Sequence, residues 1–128
     1  MSIKIVYVPQ FEVTFNYRLL VTLRECASRH YDGAVKALVG EVGAGASVNG
    51  LLTIIWHRFI WSEQDYLPMS QRTVAYLMTY RDLDLILKCM EIIPFLKMNK
   101  INLDMLCEFE GEIRAALTAS TEKTNEHS

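Results

Sequence analysis

The chain contains 128 residues, 51% of them hydrophobic, and carries a formal net charge of −2 with a pI near 5.9. This length supports one hydrophobic core but not two ordinary domains, so we expect a single domain over residues 1–117 and a polar, disordered tail over residues 118–128. The slightly acidic balance gives no long-range attraction to phosphate groups, which disfavours general nucleic-acid binding and binding to anionic membranes.

The cysteines point to a reducing compartment. Cys26, Cys89 and Cys107 are an odd number at wide spacing, and each falls on an apolar helical face. This pattern favours reduced, buried thiols over a disulfide framework. Residues 1–8 are too short for a signal sequence, and the longest uncharged run, residues 42–56, is too short and glycine-rich to span a membrane. We therefore expect a cytoplasmic protein without a membrane segment.

The first part of the chain predicts a strand followed by a helix. A β-branched run ends at Pro9, which indicates a bulge or an edge position because proline lacks a backbone donor. Apolar and polar residues then alternate through residues 10–15, as in a strand with one solvent-exposed face. Asn16 is placed to cap a helix whose inner face carries Leu20, Leu23 and Cys26.

The middle of the chain is harder to interpret. Residues 34–42 predict a second apolar helix, and the small residues Gly43, Gly45 and Ser47 predict a flexible loop, since glycine weakens a helix. Residues 51–61 are apolar nearly all round, which favours a buried helix, although their β-branched and aromatic content leaves a strand as the alternative.

The clearest local element is the segment of residues 73–94. Its first part alternates with period two, and both alternating sets are apolar, so we expect a strand covered on both faces inside a sheet. Thr79 is a suitable N-cap, and Asp82 suits the positive end of the helix that follows. Pro94 ends this helix. Asn102 is then expected to cap a last helix with these inward positions: Leu103, Leu106, Cys107, Ile113 and Leu117.

The two strand-helix segments resemble each other. A shift of 63 positions takes Val13 to Tyr76 and Cys26 to Cys89, and it aligns residues 11–26 with residues 74–89 in strand face, cap and helix face. This correspondence indicates an internal repeat, although any strand-cap-helix unit shares part of it. We predict a small α+β domain, mostly helical, with a two- or three-stranded antiparallel sheet. Two strands alone make a marginal sheet, so pairing across a homodimer is a second arrangement that we consider.

The best candidate for a binding surface is the aromatic and basic segment in the middle of the chain. Such residues form the centres of protein interfaces, and they also stack on nucleic-acid bases. The alternative is that the two tryptophans fill the core between the repeats. The candidate residues are Trp56, His57, Arg58, Trp61 and Tyr66.

Three other patterns suggest chemistry and are weaker. The glycines match neither a dinucleotide fingerprint nor a phosphate loop. Cys26 and His30 are four residues apart, as in a metal or thiol site, but no further motif completes a ligand set or a catalytic group. Glu108 and Glu112 share a helix face, which is more typical of a solvated surface than of acid–base catalysis. We therefore assign no catalytic residue, metal or cofactor.

These observations lead to three hypotheses. The first is a non-enzymatic, cytoplasmic interaction protein, a stoichiometric inhibitor or adaptor of a larger complex, of the kind that phages and mobile elements encode. The second is a regulatory domain that binds a small ligand, with the glycine segment as a lid over a pocket lined by Trp56, Trp61 and Tyr31. The third is a metal- or thiol-dependent enzyme built on Cys26 and His30.

Overall fold

The structure is a computed structural model that describes residues 3–7, 10–31 and 43–126. Within these ranges the side chains of residues 6, 7, 31, 43, 44 and 120–126 are not described. Pro9 and the predicted helix at residues 34–42 therefore lie outside the described residues.

The described residues form a small α+β domain, as the sequence predicts. Three strands, β1 (Ile3–Tyr7), β2 (Gln10–Asn16) and β3 (Thr73–Thr79), combine with four helices. Two single-turn 3₁₀ helices, Met69–Gln71 and Ile93–Phe95, lie in the connections on either side of β3 and its helix. The four helices are α1 (Tyr17–Tyr31), α2 (Gly43–Ile60), α3 (Tyr80–Met90) and α4 (Lys100–Glu126).

The sheet is antiparallel in the order β1-β2-β3, so β2 is the central strand. One face carries Phe11, Val13 and Phe15, which are fully buried, and the phenyl ring of Phe15 meets that of Phe109 on α4 at 6.2 Å between centroids. A register shift in β1 between Ile5 and Tyr7 marks a bulge in this edge strand.

The prediction that residues 73–79 lie inside the sheet with both faces covered was wrong. Among the described strands β3 lies at the edge, Ala75 is exposed, and Leu77 retains 48% of its accessible surface. The apolar character of Ala75 and Leu77 misled the interpretation, because a continuous apolar run is typical of a buried strand. Only Val74, Tyr76 and Met78 face the core side, and Met78 alone is fully buried.

The predicted shift of 63 positions relates the two strand-helix units. It takes Gln10–Asn16 to Thr73–Thr79, and a helix follows each strand directly. The β2–β3 register is symmetric about the Val13↔Tyr76 pair, whose members the shift interchanges. An approximate twofold axis therefore passes close to this pair.

The N-caps of both units are those predicted. The side-chain oxygen Oδ1 of Asn16 accepts from the backbone N–H of Leu19 at 2.8 Å. Thr79 Oγ1 accepts from the backbone N–H of Asp82, and the Asp82 carboxylate accepts from the N–H of Thr79 at 3.0 Å, which forms a reciprocal capping box.

Residues 51–61 were predicted to be helical, and α2 confirms this over residues 51–60, but the predicted glycine loop was wrong because α2 begins at Gly43. A buried stripe at spacings of three and four explains the difference: Gly45, Val48, Leu52, Ile55 and Phe59. Gly45 belongs to this stripe, and Ser47 is exposed on another side of the helix. Tertiary packing of α2 against α1 thus overrides the weak helix propensity of the small residues.

The last helix also departs from the prediction. It begins at Lys100 with Asn99 as its cap, since Asn99 Oδ1 accepts from the N–H of Asn102 at 2.8 Å. Leu103 and Cys107, predicted to point inward, are exposed, whereas Leu106, Ile113 and Leu117 are buried as predicted. The helix continues to Glu126, so the tail predicted to be disordered from residue 118 is helical to that point. Extending a helix that is already anchored by packing is far easier than starting a new one.

Among the described residues, no helix is both long enough and apolar enough to cross a membrane.

Candidate functional site

A surface groove of about 850 Å³ runs between the C-terminal half of α2 and the start of β3. We call it the α2–β3 groove, and it is lined on its two long sides by Ile54, His57, Arg58, Trp61, Thr73 and Val74. Trp61 is 82% exposed and Ile54 is 50% exposed, although both are large apolar side chains. The groove therefore presents apolar surface to solvent. Other large hydrophobic side chains of the domain are exposed as well, including Phe95 at 55% and Ile101 at 62%.

The loop after α2 holds Trp61 at the edge of this groove. The N–H of Trp61 donates to the carbonyl of His57 at 3.0 Å, which continues the helical turn. Ser62 Oγ then accepts from the N–H of Gln64 at 3.0 Å, and the Gln64 side chain accepts from the N–H of Thr73 at 3.0 Å. These bonds tie the loop to the beginning of β3 and so fix the width of the groove.

Arg72 anchors the same loop from beneath. Its guanidinium donates to three backbone carbonyls, those of Phe59 at 2.9 Å, Leu67 at 2.9 Å and Asp65 at 3.0 Å. The carbonyl of Phe59 belongs to the last turn of α2, where helical carbonyls lack partners and a cation interacts favourably with the helix dipole. The planar guanidinium of Arg72 therefore caps α2 and also binds the loop that follows it.

Arg58 connects the groove with the free edge of β3. Its guanidinium carbon lies 4.6 Å from the centroid of the Tyr76 ring, a cation–π distance. Arg58 also lines a second, smaller depression of about 400 Å³, which we call the edge groove. It is lined by Glu12, Arg58, Ala75, Tyr76 and Leu77.

The structure separates the five predicted surface residues. His57, Arg58 and Trp61 lie together in the α2–β3 groove. Tyr66 is 79% exposed but does not line the groove. Trp56 is half-buried, with its ring 5.8 Å from that of Tyr17 and the guanidinium of Arg24 at 5.1 Å. Trp56 thus packs α2 against α1, whereas Trp61 is 82% exposed and does not fill the core.

The elements of the small-ligand hypothesis do not come together. Gly43 and Gly45 are helical and so do not form a loop that could close over a pocket. Trp56 and Trp61 lie on different sides of α2, and the side chain of Tyr31 is not among those described.

The thiols of Cys26 and Cys89 are both buried, at positions that the shift of 63 residues interchanges. Burial raises the pKa of the Cys26 thiol to about 12, with a smaller contribution from Glu25. Burial also raises the pKa of Cys89 to about 12, and Cys26 and Glu91 add to this effect. A nucleophilic thiol needs a lowered pKa, so both cysteines have the opposite of the required environment.

These raised pKa values predict a loss of stability in alkali. The folded protein holds the two thiol protons more tightly than the unfolded chain, whose thiols titrate near 9.0. The stabilisation is complete below pH 9 and disappears as the pH rises from 9 towards 12. Between pH 7 and pH 10 the wild type should lose about 2–3 kcal/mol more free energy of unfolding than Cys26→Ala/Cys89→Ala.

Urea denaturation under reducing conditions measures this difference at each pH. The double variant controls for the titration of tyrosines and lysines, which both proteins share. Equal slopes against pH in the two proteins would contradict the buried, protonated state of the thiols.

His30 is fully buried on α1, and neither ring nitrogen has a hydrogen-bond partner among the described residues. Across these residues no group of three or more His, Cys, Asp or Glu side chains is placed to hold a metal ion. His30 is therefore a buried polar group without visible compensation, which costs free energy.

Replacing His30 with leucine is expected to raise the free energy of unfolding by about 1–2 kcal/mol, because the unpaired nitrogens are removed. Thr22→Val is the matched control on the same helix. Thr22 is also buried, but its Oγ1 donates to the carbonyl of Arg18 at 2.7 Å, so this change should cost about 1 kcal/mol. Urea denaturation of both variants gives the sign of each change in the free energy of unfolding. If His30→Leu lowers this free energy, the His30 ring has hydrogen-bond partners in the folded protein.

The carboxylates have mainly structural positions. Asp82 completes the cap of α3, and Asp84 lies 3.8 Å from the Lys88 ammonium one turn later. Glu108 and Glu112 border a depression of about 270 Å³ beside β2, and the neighbouring Glu110 bonds Arg114 at 3.2 Å. This arrangement is that of a solvated helix surface, as expected from the sequence.

Sequence reasoning missed three parts of the site: Ile54, the anchor Arg72 and the free edge of β3. Ile54 was included in the apolar run of α2, and nothing in the run distinguishes an exposed isoleucine. Arg72 is a single basic residue before a strand, and its three carbonyl acceptors come from distant positions, so no local signal identifies it.

Comparison with known proteins gives no relative for this site: no protein-family model and no curated protein matches the sequence, and no solved structure matches the fold.

Proposed function

We propose that this protein is a non-enzymatic binding domain, a stoichiometric inhibitor or adaptor that docks onto a larger protein through the α2–β3 groove. The observation that carries the proposal is the 82% exposure of Trp61 beside the 50% exposed Ile54. Contiguous exposed apolar surface is uncommon on monomeric proteins and marks interaction sites. Tryptophan and arginine are also the residues that most often dominate binding energy at protein interfaces.

The rigidity of the groove supports the same role. Gln64 and Arg72 fix the loop that follows Trp61 to β3, so the backbone beside the groove loses little conformational freedom when a partner binds. A preorganised backbone costs less to immobilise than a flexible one. A thiol enzyme is less well supported, because the buried thiol of Cys26 has a raised pKa.

Capture from the native host tests this function. The full-length protein should retain one partner in a stoichiometric complex, and Trp61→Ala should weaken the affinity for that partner at least about tenfold, the usual effect of truncating a central aromatic residue. Arg58→Ala should weaken it as well. Affinity is measured with the purified partner by titration calorimetry.

Tyr66→Ala is the matched control. Tyr66 is as exposed as Trp61 and also aromatic, but it does not line the groove, so its removal should leave affinity nearly unchanged. All three variants should unfold at wild-type urea concentrations. Capture that is indifferent to both Trp61 and Arg58 would contradict the assignment of the surface.

A further inference from the structure

The edge of β3 that faces away from β2 carries backbone groups that no described strand pairs with. Thr73 and Thr79 donate their N–H groups to side chains, those of Gln64 and Asp82, and not to β2. In an antiparallel strand the N–H and C=O of alternate residues point to the same side. Ala75 and Leu77 lie two and four residues after Thr73. They therefore direct their N–H and C=O groups to the same side as Thr73 and Thr79, away from β2.

The two ends of this edge are closed and its centre is open. The Gln64 and Asp82 side chains occupy the outward N–H groups of Thr73 and Thr79, whereas no described strand pairs with Ala75 or Leu77 on that side. Natural proteins usually protect edge strands with charges, proline or a covering element. An open edge with an exposed Leu77 is a template for another strand.

The internal repeat shows what kind of strand fits there. The shift of 63 positions takes Glu12 to Ala75, and Glu12 pairs with Lys4 of the antiparallel strand β1. The place next to β3 that corresponds to β1 has no strand among the described residues. The residues that correspond to β1 in sequence, 66–70, form turns and the start of a 3₁₀ helix instead. The β3 unit is thus a copy of the β2 unit without its outer strand.

The side chains around the open edge define the chemistry of that strand. A residue opposite Tyr76 would lie beside the guanidinium of Arg58, which forms neither of the two salt bridges found among the described residues. Two positions later along an antiparallel strand, a residue opposite Val74 would face the apolar part of the α2–β3 groove near Ile54. An acidic residue suits the first position and an apolar residue the second.

We propose that an extended segment of a partner protein, with the pattern acidic–x–apolar, adds to the sheet as a fourth strand antiparallel to β3. Its main chain pairs with Ala75 and Leu77, its acidic side chain binds Arg58, and its apolar side chain enters the α2–β3 groove. This inference rests on the proposed function and specifies the binding mode and the partner's chemistry.

A second copy of this chain fits the edge less well. In the symmetric antiparallel register that pairs both Ala75 and Leu77, Ala75 would lie opposite Leu77 of the other copy, which places Tyr76 on the twofold axis. Each Tyr76 carries an Arg58 guanidinium at 4.6 Å, so the two cations would be brought together. Like charges placed in this way oppose association.

The test uses a display library of ten-residue peptides randomised at every position, selected against the full-length protein. Acidic–x–apolar sequences should be enriched, and the best peptide is then synthesised. Methylation of single backbone nitrogens in this peptide should weaken binding at every second residue. The residue before the acidic one and the central x residue face β3, so methylation there should weaken binding at least about tenfold, whereas methylation of the acidic or apolar residue should not.

Hydrogen exchange provides a readout on the protein itself. The amides of Ala75 and Leu77 should exchange rapidly in the free protein and slow at least about tenfold when the peptide is bound. Protection of both amides in the free protein would show that the edge is already covered, and that result would overturn the proposal.

Two variants test the edge and the charge separately. Ala75→Pro removes one outward N–H and should abolish peptide binding, while its control, Ala75→Thr, keeps the N–H and should bind. Exchange of the peptide's acidic residue for lysine should weaken binding at least about tenfold, and Arg58→Glu should restore it.

The outcomes distinguish this inference from the proposed function. A Trp61-dependent protein partner, together with failure to select any peptide or with methylation effects that do not alternate, would leave the proposed function standing and overturn the strand addition. A dimer in solution that Ala75→Pro dissociates would also overturn it in favour of self-pairing. Enrichment of peptides without the acidic residue would remove the role given to Arg58.

Discussion

Replacing Arg72 with alanine is expected to lower the free energy of unfolding by about 2–4 kcal/mol, because three hydrogen bonds from one guanidinium are lost together. The carbonyl of Phe59 at the end of α2 loses its partner, and the carbonyls of Leu67 and Asp65 return to solvent. Since these bonds also close the loop beside the α2–β3 groove, the variant should bind a partner more weakly even where it remains folded.

Two arginine variants make this prediction specific. Arg72→Lys keeps the charge but replaces the planar fork with a single ammonium, so it should recover only part of the lost stability. Arg81→Ala removes an exposed arginine from the first turn of α3 and should change stability by less than about 0.5 kcal/mol. Urea denaturation followed by circular dichroism gives all three values, and an Arg72→Ala cost no larger than that of Arg81→Ala would contradict the anchoring role.

The strand-helix units could be predicted because the sequence signals that specify them are local. Alternation in β2, the caps Asn16 and Thr79, and helical spacing after each cap are all set by residues within one or two turns. The shift that aligns Val13 with Tyr76 was also predicted, and the structure adds that the two strands pair symmetrically about that position. Local periodicity and the correspondence between the two segments were sufficient for this part of the fold.

The position of each unit in the sheet could not be predicted from local sequence patterns. Ala75 and Leu77 are apolar, and only the order of the strands decides whether their face is covered. The same limit applies to Gly45, whose place in a helix depends on the close packing of α2 against α1. Such features depend on neighbours that are distant in the sequence, and a single sequence does not reveal them.

The candidate site was predicted in part. The exposure of Trp61 follows from its position beside polar residues, and the basic residue Arg58 one turn earlier shares its surface. Trp56 was grouped with them because it is near in sequence, yet five residues along a helix place a side chain on a different side. Its contact with Tyr17 on α1 shows that helical phase, more than proximity along the chain, decides which aromatics share a surface.

Phe15→Ala is expected to have the largest effect on stability, a loss of about 3–5 kcal/mol, since a fully buried phenyl group would leave a cavity in a packed interior. Phe15 joins the central strand to α4 through the edge of the Phe109 ring. Leu77→Ala is the control on the neighbouring strand, because Leu77 is 48% exposed and its loss should cost less than about 1 kcal/mol.

A double-mutant cycle with Phe109→Ala identifies the part of this loss that belongs to the ring pair. Aromatic pairs in this edge-on geometry contribute about 0.5–1.5 kcal/mol beyond the area that they bury, so the double variant should be less damaged than the sum of the single variants by that amount. Each protein is unfolded in urea, and one common dependence of unfolding free energy on urea concentration is used for all four proteins. Because Phe15 belongs to the central strand, this cycle measures how strongly the ring pair fixes α4 to the sheet. The same sheet carries the proposed binding surface along β3. Additive losses would mean that α4 is held by its remaining contacts, and that the two rings fill space independently.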